Sequence, residues 1–173
     1  MNDTAAIRPE AQTYPATRWA AMAVLLLAGF MNLVDVTIVN VALPSLQKSL
    51  QASSSGIEWV VAAYTLAFAL GLLPFGRLGD TFGRTRMFMA GIVAFTFCSL
   101  LCGVAPNIEM LIVARVLQGF AAAMMAPQTL AITQVIFPPR ERGMAFALFG
   151  LTASLASVTG PLAGGVLIGA NLW

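Results

Sequence analysis

Five mostly apolar runs, each close to the length that crosses a bilayer, decide what this chain can become. They cover roughly residues 19–43, 57–75, 87–105, 108–137 and 143–169. A spanning helix needs about 20 mostly apolar residues, and these runs lack the period-two alternation of membrane strands. Only 9% of the 173 residues are charged and 59% are hydrophobic. A soluble domain carries about 25% charged residues. So few charges cannot cover so apolar a chain against water, and lipid must be the solvent. The expected fold class is therefore an all-α integral membrane bundle, with a polar tail at 1–18 and five spanning helices within 19–173.

Turn and cap residues punctuate the runs. Pro44 is expected to close the first, and Ser55 with Glu58 fits a capping box that opens the second. Pro106-Asn107 divides the third from the fourth, and Pro138-Pro139 ends the fourth. The first run is too long for the apolar region of a signal peptide, and "VALPSL" makes a poor cleavage site, so the run is read as retained. Basic residues set the orientation. Arg8 and Arg18, then Arg77, Arg84 and Arg86, then Arg140 and Arg142 alternate onto one side, against Lys48 on the other. Positively charged segments stay inside, which predicts a cytoplasmic N-terminus in a multi-pass cell-membrane protein. These short basic segments form no continuous face, so nucleic acid is not an expected partner. Lipid is.

Two ionisable residues lie where none should. Asp35 and Arg115 fall inside predicted spans, at a cost of about 2.5–3.5 kcal/mol each on the insertion scale. Asp35 stands nine residues before Pro44, and Arg115 eight after Asn107. At a rise of about 1.5 Å per residue, both sit roughly 12–14 Å from the outer end, near the midplane. An acid and a base at matched depth imply one shared cavity. Asn32 shares the Asp35 face, Gln118 shares the Arg115 face, and Ala122 and Ala126 leave room beside the charge. A salt bridge that merely locks the two helices is the structural alternative. Glu58 and Glu109 are expected in first turns of helices, where a carboxylate suits the helix dipole.

The fifth run repeats small residues: Gly150, Ser154, Ser157, Gly160-Pro161, Gly164-Gly165 and Gly169. At helical spacing these form one stripe, which lets a neighbouring helix approach closely. Pro161 is expected to bend that helix. Cys98 and Cys102, spaced i, i+4 in an apolar run, read as small buried residues on one helix face. With no histidine in the chain, no nucleophile–base set and no metal-ligand cluster, an enzyme is not expected, and neither is a metal or other cofactor.

Four segments in order resemble signatures of the major facilitator superfamily of secondary transporters. "GRLGDTFGRTRMF" matches G-x-L-x-D-x-x-G-R through Gly76, Leu78, Asp80, Gly83 and Arg84, although Thr81 and Thr85 replace frequent basic residues. "RVLQGFAAA", from Arg115, is similar to the fourth-helix R-x-x-Q-G motif. "ASVTGPLAGG" is similar to the fifth-helix antiporter motif, with Ala156 for its first glycine. "LVDVTIVNVALPSL" resembles the first-helix motif of fourteen-helix drug:proton antiporters, the EmrB/QacA-like group.

The resemblance carries several expectations. Gly76, Gly79 and Gly83 would form a tight cytoplasmic turn. Asp80 and the arginines would latch cytoplasmic helix ends, with Arg84 pairing to Glu141; simple positive-inside anchoring explains the arginines alone. Gly160, Pro161, Gly164 and Gly165 would serve as the antiporter motif. Asp35, Arg115, Gln118 and Asn32 would line the cavity that couples protons to substrate. Such transporters have two six-helix halves built from inverted three-helix repeats. The chain would then be the N-terminal part of a longer product, with a sixth helix and a C-terminal half as its missing partner. The implied activity is efflux of drugs or other lipophilic, often cationic compounds in exchange for protons, with the proton gradient as energy source. Metabolite uptake in the same fold and a non-transporting membrane scaffold are the alternatives.

Overall fold

The computed structural model describes residues 17–170; most of the expected tail, including Arg8, and the final "NLW" lie outside the described residues. Five helices follow in chain order: α1 Arg18–Ser49, α2 Ser54–Phe82, α3 Arg84–Gly103, α4 Ile108–Ile136 and α5 Pro139–Gly169. All five are long and apolar enough to cross a membrane. Leu73, Val93, Phe97 and Val166 point outward and exposed, a surface suited to lipid rather than water.

α1, α2 and α5 extend beyond their apolar runs, and the sequence signals move accordingly. α1 continues past Pro44 to Ser49. A proline inside a spanning helix frees one carbonyl, and surrounding helices and polar side chains can satisfy such groups. The same tolerance holds at Pro74, Pro127 and Pro161. The cap of α2 is Ser53, whose side chain accepts from the Gly56 amide, so the expected box at Ser55 and Glu58 is not formed. With α2 starting at Ser54, Glu58 lies beyond the first turn, while Glu109 does sit in the first turn of α4. Asn107 caps α4 by accepting from the Met110 amide. Pro138 and Pro139 open α5 as well as closing α4, since proline fits a helix start.

The "GRLGDTFGRTRMF" segment is not a loop. Gly76 to Phe82 complete α2, Arg84 opens α3, and Gly83 alone joins them with φ +99°. That left-handed backbone is why glycine is needed there. Gly76 and Gly79 act differently from the expected turn residues. They lie against α4, where Gln128 covers Gly79 and Pro127 lies 3.7 Å from a β-carbon placed on Gly76.

Small residues govern how the helices meet. α2 and α4 run parallel and interlock at Gly71, Gly79 and Gly119; a β-carbon on Gly71 would lie 2.7 Å from that of Ala123. Gly91 brings α3 onto α4, 2.7 Å short of Met125 by the same measure. α1 packs chiefly along α5, also in parallel, through Ala156, Gly160 and Gly164. The expected stripe on α5 is therefore narrower: Gly150, Ser154, Ser157, Pro161, Gly165 and Gly169 are exposed. Residues spaced by four keep one contact line, and their neighbours rotate off it.

The bundle thus has two tightly packed groups, α2–α3–α4 and α1–α5, with slighter contact between them. Leu25 and Ala28 join Tyr64, Phe88, Phe95 and Met125 in the apolar core across that seam.

Candidate proton-coupling site

Asp35 on α1 and Arg115 on α4 meet across the seam between the two groups. An Arg115 terminal nitrogen donates to Asp35 Oδ2 at 2.7 Å and to Gln118 Oε1 at 2.8 Å. The Gln118 amide then donates to Asp35 Oδ1 at 2.8 Å, closing a triangle. Arg115 is 2% exposed and Asp35 13%, so the pair is nearly desolvated. Each carboxylate oxygen has a donor, which a buried charge requires. The expected contact forms, but not at equal distances from the helix ends: α1 runs to Ser49, fourteen residues beyond Asp35, while Arg115 is seven residues into α4.

Further partners hold the guanidinium in place. Its Nε donates to the Val60 carbonyl at 3.4 Å, and its carbon stands 4.2 Å from the Tyr64 ring centroid. A desolvated cation over an aromatic face gains about 2 kcal/mol. The Cys102 thiol reaches Gln118 Oε1 at 3.5 Å from α3. Tyr64 and the Val60 carbonyl carry no assignment in the sequence, and Cys102 reads there only as a small buried residue. A tyrosine in an apolar run, whose hydroxyl seeks a partner when buried, was the one available signal. Of the two cysteines, Cys98 is buried and Cys102 half-buried, so they do not share one environment.

Asn32 is placed differently from its expected companions. Its amide donates to the Tyr64 hydroxyl at 2.9 Å, and it faces a separate, smaller cavity. That cavity, about 280 Å³, is lined also by Phe68, Ala122, Met125, Ala126 and Phe149. Asp35 and Arg115 border a larger one of about 630 Å³, together with Met31, Phe95 and Cys102. The cause is helical rotation: a residue at i−3 leans onto a neighbouring side of α1. Ala122 and Ala126 accordingly make room at the smaller cavity, not beside the charge.

At the opposite, basic ends, the expected Arg84–Glu141 pair does not form. Arg84 turns back across Gly83 to Asp80, with a terminal nitrogen 2.9 Å from Oδ1 and both side chains exposed. Glu141 bonds Arg18 at 3.2 Å, because α1 and α5 start side by side. Arg18 also stands over the Phe137 ring, and Arg142 donates to the Gln134 and Phe137 carbonyls at the end of α4. Gly160 and Gly164 face α1 at Thr37, Ile38 and Val41, whereas Pro161 and Gly165 point away.

Five helices able to cross a membrane, with a buried ion pair beside a cavity, fit a membrane transporter rather than an enzyme, and the family model agrees. The chain is a member of the Major Facilitator Superfamily, whose model matches residues 25–173. It is 48% identical over 158 residues to the probable actinorhodin transporter of Streptomyces coelicolor, covering 91% of this chain and 27% of that protein. It is 46% identical over 151 residues to the puromycin resistance protein pur8 of Streptomyces alboniger, covering 87% and 30%. The chain thus spans less than a third of these relatives. Its fold matches a bacterial homolog of the human lysosomal transporter Spinster, in an inward-facing and occupied conformation. The TM-score is 0.82 at 21% identity, covering 91% of this chain and 34% of that one.

Proposed function

We propose that this segment belongs to a proton-coupled efflux antiporter, resident in the cell membrane with its N-terminus cytoplasmic. Its cargo is a drug or other lipophilic, often cationic compound. The Asp35–Arg115–Gln118 triangle carries the reading. A carboxylate held by two donors beside a cavity can exchange a proton, and losing its charge loosens the joint between α1–α5 and α2–α3–α4. Proton uptake on one side and cargo binding on the other would then oppose each other. The names of the two relatives, one for a transported compound and one for resistance to another, support small-molecule export.

The test uses the complete transporter that carries this segment. Asp35→Asn keeps the shape and removes the proton site, so efflux driven by a pH gradient should stop while the protein stays inserted. If Asp35 merely bridges Arg115, the double variant Asp35→Asn with Arg115→Gln should recover both expression and transport. Proton-driven efflux in that double variant would overturn the assignment.

A further inference from the structure

Tyr64 stands between the two cavities and lines neither. Its ring lies under the Arg115 guanidinium at 4.2 Å, and Arg115 borders the larger cavity. Its hydroxyl accepts the Asn32 amide at 2.9 Å, and its ring stacks on Phe68 at 6.3 Å with a 3° interplanar angle. Both Asn32 and Phe68 border the smaller cavity. The tyrosine is buried, and its backbone is fixed where the α2 carbonyl occupies the space over Gly119. Only its side chain can respond to either neighbour.

We propose that Tyr64 is a positioning residue that carries the charge state of Asp35 to the smaller cavity, where lipophilic cargo packs against Phe68, Met125 and Phe149. This rests on the proton-coupled export reading and gives that opposition a route through one side chain. Asp35 is faced by Arg115 and Gln118 from α4, with Tyr64 from α2 behind the arginine and Cys102 from α3 behind the glutamine. From α5 the apolar Leu167 reaches the same cavity. When Asp35 is neutral, Arg115 loses its counter-ion and keeps Gln118, the Val60 carbonyl and the ring face. A cation without its anion is drawn more strongly to the remaining partners, the ring included. The ring shares its position with Asn32 and Phe68, so its displacement changes the wall of the smaller cavity. Cargo pressed on that wall acts on Arg115 in return, as linkage between two sites requires.

Ethidium, a fluorescent lipophilic cation, serves as the probe for binding to the purified complete transporter across a pH series. In the unmodified protein, protonation should weaken ethidium binding by about five-fold or more, a usual size for coupled sites. Tyr64→Leu removes ring and hydroxyl, and should still bind ethidium while that dependence shrinks below about two-fold. Tyr64→Phe keeps the ring over Arg115 and should fall between. Tyr64→Leu that binds ethidium with the unmodified pH dependence would overturn the proposal. Should Tyr64→Leu fail to fold, Tyr64→Met, which also lacks ring and hydroxyl, takes its place, and an unmodified pH dependence in that variant overturns it equally. Asp35→Asn separates the two layers. If it keeps the pH dependence, the proton assignment itself falls; if it loses the dependence while Tyr64→Leu keeps it, only the role of Tyr64 falls.

Discussion

The Thr37 hydroxyl occupies the space over Gly160 that a β-carbon would need, and so ties the α1 motif around Asp35 to the backbone of α5. The same hydroxyl bonds the Val34 carbonyl at 3.0 Å, within its own helix. Gly160→Ala must therefore push α1 away from α5, at a cost of about 1–3 kcal/mol for overpacking. Adding Thr37→Ala should restore only part of the loss, because the Thr37 β-carbon itself would lie 2.8 Å from the new methyl. Thermal melting of the detergent-solubilised transporter measures both variants. Full recovery in the pair would place the conflict in the hydroxyl alone.

Adjacent glycines in α5 should behave oppositely. A β-carbon on Gly164 would meet Ile38 at 3.1 Å and Val41 at 3.5 Å, so Gly164→Leu should separate α1 from α5 and impair folding and transport. Gly165 has nothing within 4 Å of an added β-carbon. Gly165→Ala should leave the stability of this bundle unchanged or raise it by about 0.5–1 kcal/mol, as expected for alanine in a helix interior. Equal loss from both changes, seen as melting temperature and membrane yield, would mean the contact line on α5 is wrongly assigned.

Topology is tested by labelling. Thr81 and Ser54 are exposed at opposite ends of α2. In a background with Cys98 and Cys102 replaced, Thr81→Cys should react with an impermeant thiol reagent only from the cytoplasm. Ser54→Cys should react only from outside. The reverse pattern would invert the orientation read from the arginines.

How far the sequence reveals this arrangement varies with the kind of interaction. Number and order of the helices were legible, because lipid demands long apolar runs whatever packs beside them. The Asp35–Arg115 contact was legible too, since two charges inside apolar spans have few other partners. Helix ends were legible only in part: Asn107 caps α4 as expected, whereas Pro44 marks a boundary in water but is accommodated inside α1. The Glu141 partner was not legible, since it depends on α1 and α5 being parallel neighbours, a matter of tertiary packing. Tyr64 went unnoticed because an aromatic residue in an apolar run looks like core until its two partners are seen.

Arg115→Lys asks whether the site needs a positive charge or a guanidinium. Lysine keeps the charge and can still reach a carboxylate, but it offers a compact ammonium instead of a planar fork. One Arg115 terminal nitrogen serves Asp35 and Gln118 together, Nε serves the Val60 carbonyl, and the flat group rests on Tyr64. A lysine loses the Val60 bond and the planar contact, and leaves Gln118 to find another donor. Each lost bond to a charged group costs about 1.5–3 kcal/mol. Arg115→Lys should therefore insert in the membrane with lower thermal stability and retain at most about a tenth of the efflux rate, since 1.4 kcal/mol is tenfold. Gln118→Leu, which removes only the third side of the triangle, should show a milder loss. Wild-type efflux and stability in Arg115→Lys would mean that charge alone suffices, and that the geometry around the guanidinium has no part in transport.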